Sequence, residues 1–244
     1  MSRSLAQAAP GLLASVATLT EMAQAIAGGA DIVDLKDPAR GALGAWRTAD
    51  LAAAVVRWRA LPPGAPPLSA TVGDQPLEPG ALAAAAARVA ATGVPLVKIG
   101  FALGPETGAE ALAACLAALA PLARAHRLVG VLFADLRPDL ALVPRFAQAG
   151  FAGIMLDTAD KTAGSLRRHL DDRALAGFLS AARAHGLMSG LAGSLTRADA
   201  APLAALGPHY LGFRGALCAT GRTGALDPAR LAAVRAALRR AAAA

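Results

Sequence analysis

The stretch DIVDLKDPARGALGA, residues 31–45, contains the pattern on which the rest of the chain is built. It begins as a short apolar run, typical of a buried β-strand, and then crowds four charged side chains into the segment from Asp34 to Arg40. A helical pattern follows at about 47–60. A strand, a charged turn and a helix make the repeating unit of an α/β protein.

Runs of the same kind recur along the whole chain, each bounded by glycine, proline or charge. The eight predicted strands are GLLASVA (11–17), ADIVDLK (30–36), PLSATVG (67–73), PLVKIG (95–100), LVGVLFAD (128–135), GIMLDT (153–158), MSGLAGS (188–194) and YLGFRG (210–215). Most of these strands are apolar throughout rather than alternating, which is typical of a parallel sheet covered on both faces.

Helical patterns with a three-to-four-residue apolar period lie between the strands. They are predicted at about 19–28, 47–60, 79–92, 106–126, 138–149, 172–185, 197–206 and 227–242. Eight alternating units predict a single (β/α)8 TIM barrel as one catalytic domain over residues 1–244. An open doubly wound sheet is the alternative, but no G-x-G-x-x-G follows the first strand.

Composition narrows the class of protein. Hydrophobic residues make up 55% of the sequence, yet no apolar segment is long and uncharged enough to predict a membrane span. Cys115 and Cys218 have neither metal-ligand nor disulfide-framework spacing, so we expect no metal and a cytoplasmic location. The four histidines fall in helix or helix-end patterns, away from the predicted strand ends. Ala-rich helices such as 79–92 and 108–125 could pack against a second subunit, which leaves a homo-oligomer open.

The net charge of +7 suggests an anionic partner. The arginines lie singly along the chain except for the adjacent pairs Arg167-Arg168 and Arg239-Arg240, and aromatic residues are only 4%, too few for a base-stacking surface, so we expect no nucleic acid. A phosphorylated small molecule is the simpler interpretation. A phosphate sensor without enzymatic activity, or a barrel that does bind nucleic acid, is the alternative.

The chain has 21 arginines but only three lysines, Lys36, Lys98 and Lys161. Only an amine can lose its proton near neutral pH and attack a carbonyl. All three lysines lie at or near predicted strand ends, and barrel enzymes carry their chemistry at the carboxyl ends of the strands. We therefore expect the lysines to share one site. The alternative is that arginine dominates for coding reasons and three lysines remain by chance.

Three aspartates are expected at the same mouth. Asp34, Asp135 and Asp157 lie at the ends of the second, fifth and sixth predicted strands. They could move protons for a lysine that forms a Schiff base with an aldehyde or ketone, a chemistry that needs no cofactor. They could instead only balance the lysines as ion pairs.

The loops after the last two predicted strands offer a phosphate site. Their glycines permit close backbone approach, and the loops after strands seven and eight are the usual phosphate-binding loops of a barrel. The candidates are Gly193, Ser194, Arg214 and Gly215. Arg222 could close over the site or be an ordinary loop charge, and Cys218 is expected to be a packing residue.

These runs also resemble a known family. GGADIVDLKDPARGALGA, SATVGD, LVKIG, GIMLDTADK, LAGSL and LGPHYLGFRGALCATGRTG closely resemble the (5-formylfuran-3-yl)methyl phosphate synthases of methanofuran biosynthesis, over nearly the whole chain. The resemblance implies a TIM barrel that condenses two molecules of glyceraldehyde 3-phosphate to 4-(hydroxymethyl)-2-furancarboxaldehyde phosphate, with loss of phosphate and water.

The same resemblance implies roles for individual residues. Lys36 would form the Schiff base and Lys98 would accept a proton, while Asp157 and Lys161 match the family's D-T-x-x-K run. The protein would then be a carbon–oxygen lyase acting on phosphates, with an aldolase-like mechanism. From the residues alone, an ordinary class I aldolase acting on a sugar phosphate stays open.

Overall fold

The computed structural model describes residues 9–105 and 109–242, which form a closed barrel of eight parallel strands. The strands are β1 Gly11–Val16, β2 Ile32–Leu35, β3 Leu68–Thr71, β4 Leu96–Phe101, β5 Arg127–Phe133, β6 Gly153–Asp157, β7 Met188–Leu191 and β8 Tyr210–Phe213. Each strand pairs with the next in the chain, and β8 closes the ring on β1. The predicted TIM barrel is confirmed, and every predicted strand overlaps an observed one.

Helices follow the strands in alternation. They are α1 Leu19–Ala27, α2 Thr48–Arg59, α3 Pro79–Ala90, α4 Ala109–Ala123, α5 Val143–Gln148, α6 Asp172–Ala184, α7 Ala200–Ala204 and α8 Pro228–Ala242. In the described ranges, none of them is long and apolar enough to cross a membrane. The predicted helix start at 106–108 and the predicted domain's ends at 1–8 and 243–244 lie outside the described residues.

Two helices are shorter than predicted because a 3-10 turn precedes each of them. The turn before α5 spans Leu140–Leu142 and begins where the Asp139 carboxylate accepts the amide of Ala141. The turn before α7 spans Arg197–Asp199, and the Thr196 amide and hydroxyl both donate to Asp199. Such local side-chain bonds compete with regular helix at its first turn.

Two apolar cores flank the barrel wall. The outer core lies between strands and helices, and the inner core fills the barrel with residues that include Leu13, Ile32, Leu96, Val129, Met155 and Tyr210. Gly190 leaves room for the Tyr210 ring, which a Cβ at that position would overlap. Because apolar side chains fill the amino-terminal part of the barrel, the polar side chains of its interior lie above them, toward the carboxyl ends of the strands.

The start of α1 also positions a charged group. Thr18 caps the helix by accepting the amide of Glu21 at 3.1 Å, and the Glu21 carboxylate accepts the amide of Ala17, one residue before the cap, at 2.7 Å. Glu21 is nevertheless buried. Its carboxylate is therefore turned inward, toward the loop after β8.

Candidate active site

All three lysines lie at the carboxyl end of the barrel, as predicted. Lys36 follows β2, Lys98 is within β4, and Lys161 is in the loop after β6. They line one cavity of about 840 Å³, together with Asp157 and residues of the loops after β7 and β8. Lys36 and Lys98 are 6% and 2% exposed, an unusual degree of burial for lysine. Buried lysines around a cavity require counter-charges, and two aspartates provide them.

Asp34 is completely buried and accepts three hydrogen bonds. Its Oδ2 accepts Lys98 Nζ at 3.0 Å and the Ser15 hydroxyl at 2.9 Å, while its Oδ1 accepts the Ser69 hydroxyl at 2.7 Å. Burial alone would raise the pKa of Asp34, but the charges of Lys98 and Lys36 and the hydrogen bonds outweigh it, so the pKa is held below its usual value. The carboxylate is therefore ionised and holds the Lys98 amine in place.

Asp157 serves the other two lysines. Its Oδ1 accepts Lys161 Nζ at 2.6 Å, and its Oδ2 lies 3.7 Å from Lys36 Nζ. Burial would raise its pKa, yet the charges of Lys161 and Lys36 and the Lys161 hydrogen bond hold the pKa below the usual value. Within the described residues, Asp157 Oδ2 is buried and accepts no hydrogen bond. This oxygen therefore faces Lys36 with its acceptor capacity unused.

Two of the lysines are more easily deprotonated than free lysine. Burial lowers the pKa of Lys98, and the attraction of Asp34 offsets only part of that effect. Burial likewise lowers the pKa of Lys161 in spite of its bond to Asp157. An ammonium with a lowered pKa gives up its proton more readily, and the amine can then take up a proton during a reaction.

Asp135 does not join the lysines. Both of its carboxylate oxygens accept backbone amides, from Ala159 at 2.8 Å and from Asp160 at 2.7 Å. Asp135 thus holds the loop that carries Lys161 and does not line the cavity, and its predicted catalytic role stays a prediction. Its position at the end of β5 was predicted, but the direction of its side chain was not.

The predicted phosphate loops do line the cavity, through Gly193, Ser194 and Gly215. Gly193 has φ +106° and lies against Thr158, where a Cβ would come within 2.9 Å of that side chain. Ser194 also has positive φ, and its hydroxyl donates to the Lys161 carbonyl at 3.1 Å. The loop after β7 is thus bound to the loop that carries Lys161.

Arg214 lines the cavity but has no donor left for a phosphate. Its five N–H groups are used by the Glu21 carboxylate, by the Ser15 carbonyl at 3.2 Å, by the Arg222 carbonyl at 2.8 Å and by the Gly224 carbonyl at 2.7 Å. In this structure Arg214 therefore holds the loop after β8 in shape, and its predicted phosphate binding stays a prediction. Glu21, its buried partner, was not identified from the sequence beyond its helix cap.

Other cavity residues were also missed. Arg197 and Arg230 line the cavity beside the two glycine loops, but single arginines in an arginine-rich sequence gave no signal. Ser15 and Ser69, which bind Asp34, face inward on β1 and β3 as alternate residues of strands do. The alternation of side chains along each strand could have identified these two serines as inward-facing.

The cysteines and histidines stay outside this cluster. Cys218 is buried and its thiol donates to the Arg214 carbonyl at 3.2 Å, and burial raises its pKa, so it acts as a packing residue. His209 bonds Ser189 near the amino-terminal end of β7, at the opposite end of the barrel. Over residues 9–105 and 109–242 there is no group of three or more His, Cys, Asp and Glu side chains that could hold a metal ion.

Comparison with known proteins gives a consistent result. A family model described as 4-HFC-P synthase matches residues 12–235. A Methylorubrum extorquens protein, provisionally named (5-formylfuran-3-yl)methyl phosphate synthase, is 45% identical over 234 residues, which cover 94% of this chain and 92% of that protein. The (5-formylfuran-3-yl)methyl phosphate synthase of Methanococcus aeolicus is 36% identical over 218 residues, covering 86% and 91%.

Solved structures agree on the architecture. The phosphoribosyl anthranilate isomerase of Thermotoga maritima superposes with a TM-score of 0.64 and covers 95% of this chain and 99% of its own. The two sequences are 14% identical, so this likeness concerns the barrel alone.

Proposed function

Because the chain belongs to the 4-HFC-P synthase family, we propose that it condenses two molecules of glyceraldehyde 3-phosphate to 4-(hydroxymethyl)-2-furancarboxaldehyde phosphate, a step of methanofuran biosynthesis. The observation that carries the proposal is the position of Lys36: a buried amine on the wall of a large cavity, 3.7 Å from a carboxylate oxygen that accepts no hydrogen bond from the described residues. This is the setting that a Schiff-base lysine needs.

The first steps are those of an aldolase. Lys36, as the free amine, adds to the carbonyl of one triose and expels water to form an imine. Loss of a proton from the adjacent carbon gives an enamine, whose electron pair forms a bond to the carbonyl carbon of the second triose. The oxygen of that carbonyl keeps the displaced electron pair and takes up a proton.

Lys98 and Asp157 are the proposed proton carriers for these steps. Lys98 is held by Asp34 and its pKa is lowered by burial, so it can take the proton from the carbon beside the imine. Asp157 Oδ2 faces Lys36 and can accept a hydrogen bond from a hydroxyl of the bound triose. Lys161, bonded to Asp157, would support phosphate departure with its positive charge.

The overall reaction balances without an oxidant or reductant. Two trioses give the furan, one phosphate and two waters, after hydrolysis of the imine returns Lys36. The phosphate of one triose would rest on the backbone of the loops after β7 and β8, where Gly193, Ser194 and Gly215 line the cavity.

Borohydride trapping tests the proposal. The protein is incubated with glyceraldehyde 3-phosphate and borohydride, digested and mapped by mass spectrometry. We expect one reduced adduct at Lys36, and furan absorbance with free phosphate when borohydride is omitted. Lys36→Arg should abolish both the adduct and the furan. A furan made by Lys36→Arg, or an adduct only at another amine, would refute the mechanism.

A variant with one additional, exposed lysine is a matched control for the trapping experiment. Arg173→Lys adds an exposed lysine on α6, at a position that does not line the cavity, and the adduct should still map to Lys36 alone. A class I aldolase would also form the adduct with glyceraldehyde 3-phosphate but would release neither furan nor phosphate. Product analysis thus separates the two enzymes.

A further inference from the structure

The charges around the cavity do not balance. Seven cationic side chains line it: Lys36, Lys98, Lys161, Arg197, Arg214, Arg222 and Arg230. Four carboxylates lie within ion-pair distance of members of this set: Asp34, Asp157, Glu21 and Asp227. In the part of the chain that the structure describes, Arg197 and Arg222 have no such partner. The cavity therefore has an excess of positive charge.

Arg222 reaches from the loop after β8 to the loop after β2. Its Nη2 donates to the Gly41 carbonyl at 3.0 Å. Its guanidinium is also close enough to Asp157 and to Lys161 to influence their ionisation. A half-buried cation thus lies over the lysine cluster, and the hydrogen bond that holds it goes to a neutral oxygen.

The two loops joined by the Arg222–Gly41 hydrogen bond are each held in place by other contacts. At one end, the Arg222 carbonyl accepts Arg214 Nε at 2.8 Å, and Arg214 is fixed by Glu21. At the other end, the Leu43 amide donates to Asp74 Oδ1 at 3.0 Å, and Asp74 lies against Gly41. Loss of the Arg222–Gly41 bond would therefore leave both loops in place, and the guanidinium can exchange this acceptor for another.

We propose that Arg222 binds the phosphate of the triose that is not joined to Lys36, so that the cavity contains two phosphate subsites. A guanidinium binds phosphate through charge-assisted, often bidentate hydrogen bonds, which are stronger than its bond to a neutral carbonyl. The other subsite is the backbone of Gly193 and Ser194 in the loop after β7, whereas Gly215 lies beside the backbone of Arg222 itself. This inference rests on the proposed function, because that reaction brings two phosphorylated trioses together.

The size of the cavity agrees with two occupants. Its volume of about 840 Å³ is in the upper part of the range for sites that enclose a drug-sized ligand. Two triose phosphates together are about as large as one such ligand. Two phosphates also match the excess of positive charge better than one. Arg222 is then a specificity residue, because it would reject a second triose that lacks phosphate.

The experiment separates the two trioses. Borohydride trapping at Lys36 reports the first triose alone, whereas furan formation requires both. In Arg222→Gln, we expect trapping to saturate at the same glyceraldehyde 3-phosphate concentration as in the unmodified protein, within about twofold. Furan formation should require about 10- to 100-fold more substrate, the effect expected for loss of a hydrogen bond to a charged group. The substrate requirement of Arg222→Lys for furan formation should lie between those of Arg222→Gln and the unmodified protein. Arg173→Gln on α6 should change neither trapping nor furan formation.

Other outcomes would overturn the inference. If trapping and furan formation weaken in parallel, Arg222 serves the triose on Lys36 or only holds the cavity together. If neither changes, Arg222 binds no substrate. Should Arg222→Gln be unstable, Arg222→Lys decides by the same two readouts. Failure of the proposed function is a separate result, because the unmodified protein would then form no adduct at Lys36, and the second subsite would be refuted with it.

Discussion

Neutralising Asp34 should destabilise the whole barrel. Asp34 is 0% exposed and Lys98 is 2% exposed, so Asp34→Asn leaves a buried ammonium without its counter-charge. Removing one partner of a buried ion pair costs about 3–5 kcal/mol. The asparagine keeps the shape of the side chain and can still bond Ser15 and Ser69. The loss therefore comes mainly from the charge.

A double-mutant cycle isolates that charge. Lys98→Met alone should also destabilise, because it removes the main partner of a buried carboxylate. The double variant contains neither charge. Its loss of unfolding free energy should therefore be smaller than the sum of the two single losses, by about 2 kcal/mol or more.

Urea unfolding at pH 7, followed by tryptophan fluorescence and circular dichroism, gives the four free energies. Asp172→Asn is the matched control, since it breaks an exposed pair with Arg167 at 3.0 Å and should cost less than about 1 kcal/mol. If Asp34→Asn costs no more than this control, or if the two single effects simply add, the Asp34–Lys98 charge pair does not stabilise the barrel.

Three further predictions concern stability. The lowered pKa of Asp157 contributes stability that is complete above the ordinary pKa of 3.8 and is lost as pH falls below it. Asp157→Asn should therefore flatten the acid side of a plot of Tm against pH. An unchanged acid side would contradict this. Glu21→Gln removes the counter-charge of buried Arg214 and should cost about 3–5 kcal/mol in urea unfolding, whereas a loss below about 1 kcal/mol would show that the pair is not needed. Gly190→Ala forces a methyl group into the Tyr210 ring and should cost about 1–3 kcal/mol, part of which Tyr210→Leu should restore in the same chain; no recovery would place the strain elsewhere.

The sequence was sufficient to bring the lysines together, but not to assign their partners. The order of strands and helices predicts the barrel, and the barrel brings the carboxyl ends of all strands to one mouth. Asp34 stands only two residues before Lys36 in the sequence. It instead bonds Lys98, 64 positions away. Strand tilt decides which inward residues share a layer, and residue spacing does not reveal it.

The side chains of Asp135 and Arg214 also have partners that the sequence did not indicate. Both stand where a catalytic or phosphate-binding residue is expected, and both are used to hold loops. Whether such a side chain turns into the cavity or back to the backbone depends on loop conformation, and the sequence pattern contains no information on that. Glu21 shows the opposite case, since a helix cap also serves as the buried partner of a distant arginine.

The ion pair between Lys36 and Asp157 joins the two halves of the barrel, because β2 and β6 belong to opposite quartets of strands. In an eight-stranded ring, a quartet β1–β4 closing on a second copy of itself would place Lys36 opposite Lys36, and a quartet β5–β8 would place Asp157 opposite Asp157. In neither arrangement would Lys36 meet Asp157, so this buried ion pair forms only where the two unlike halves come together.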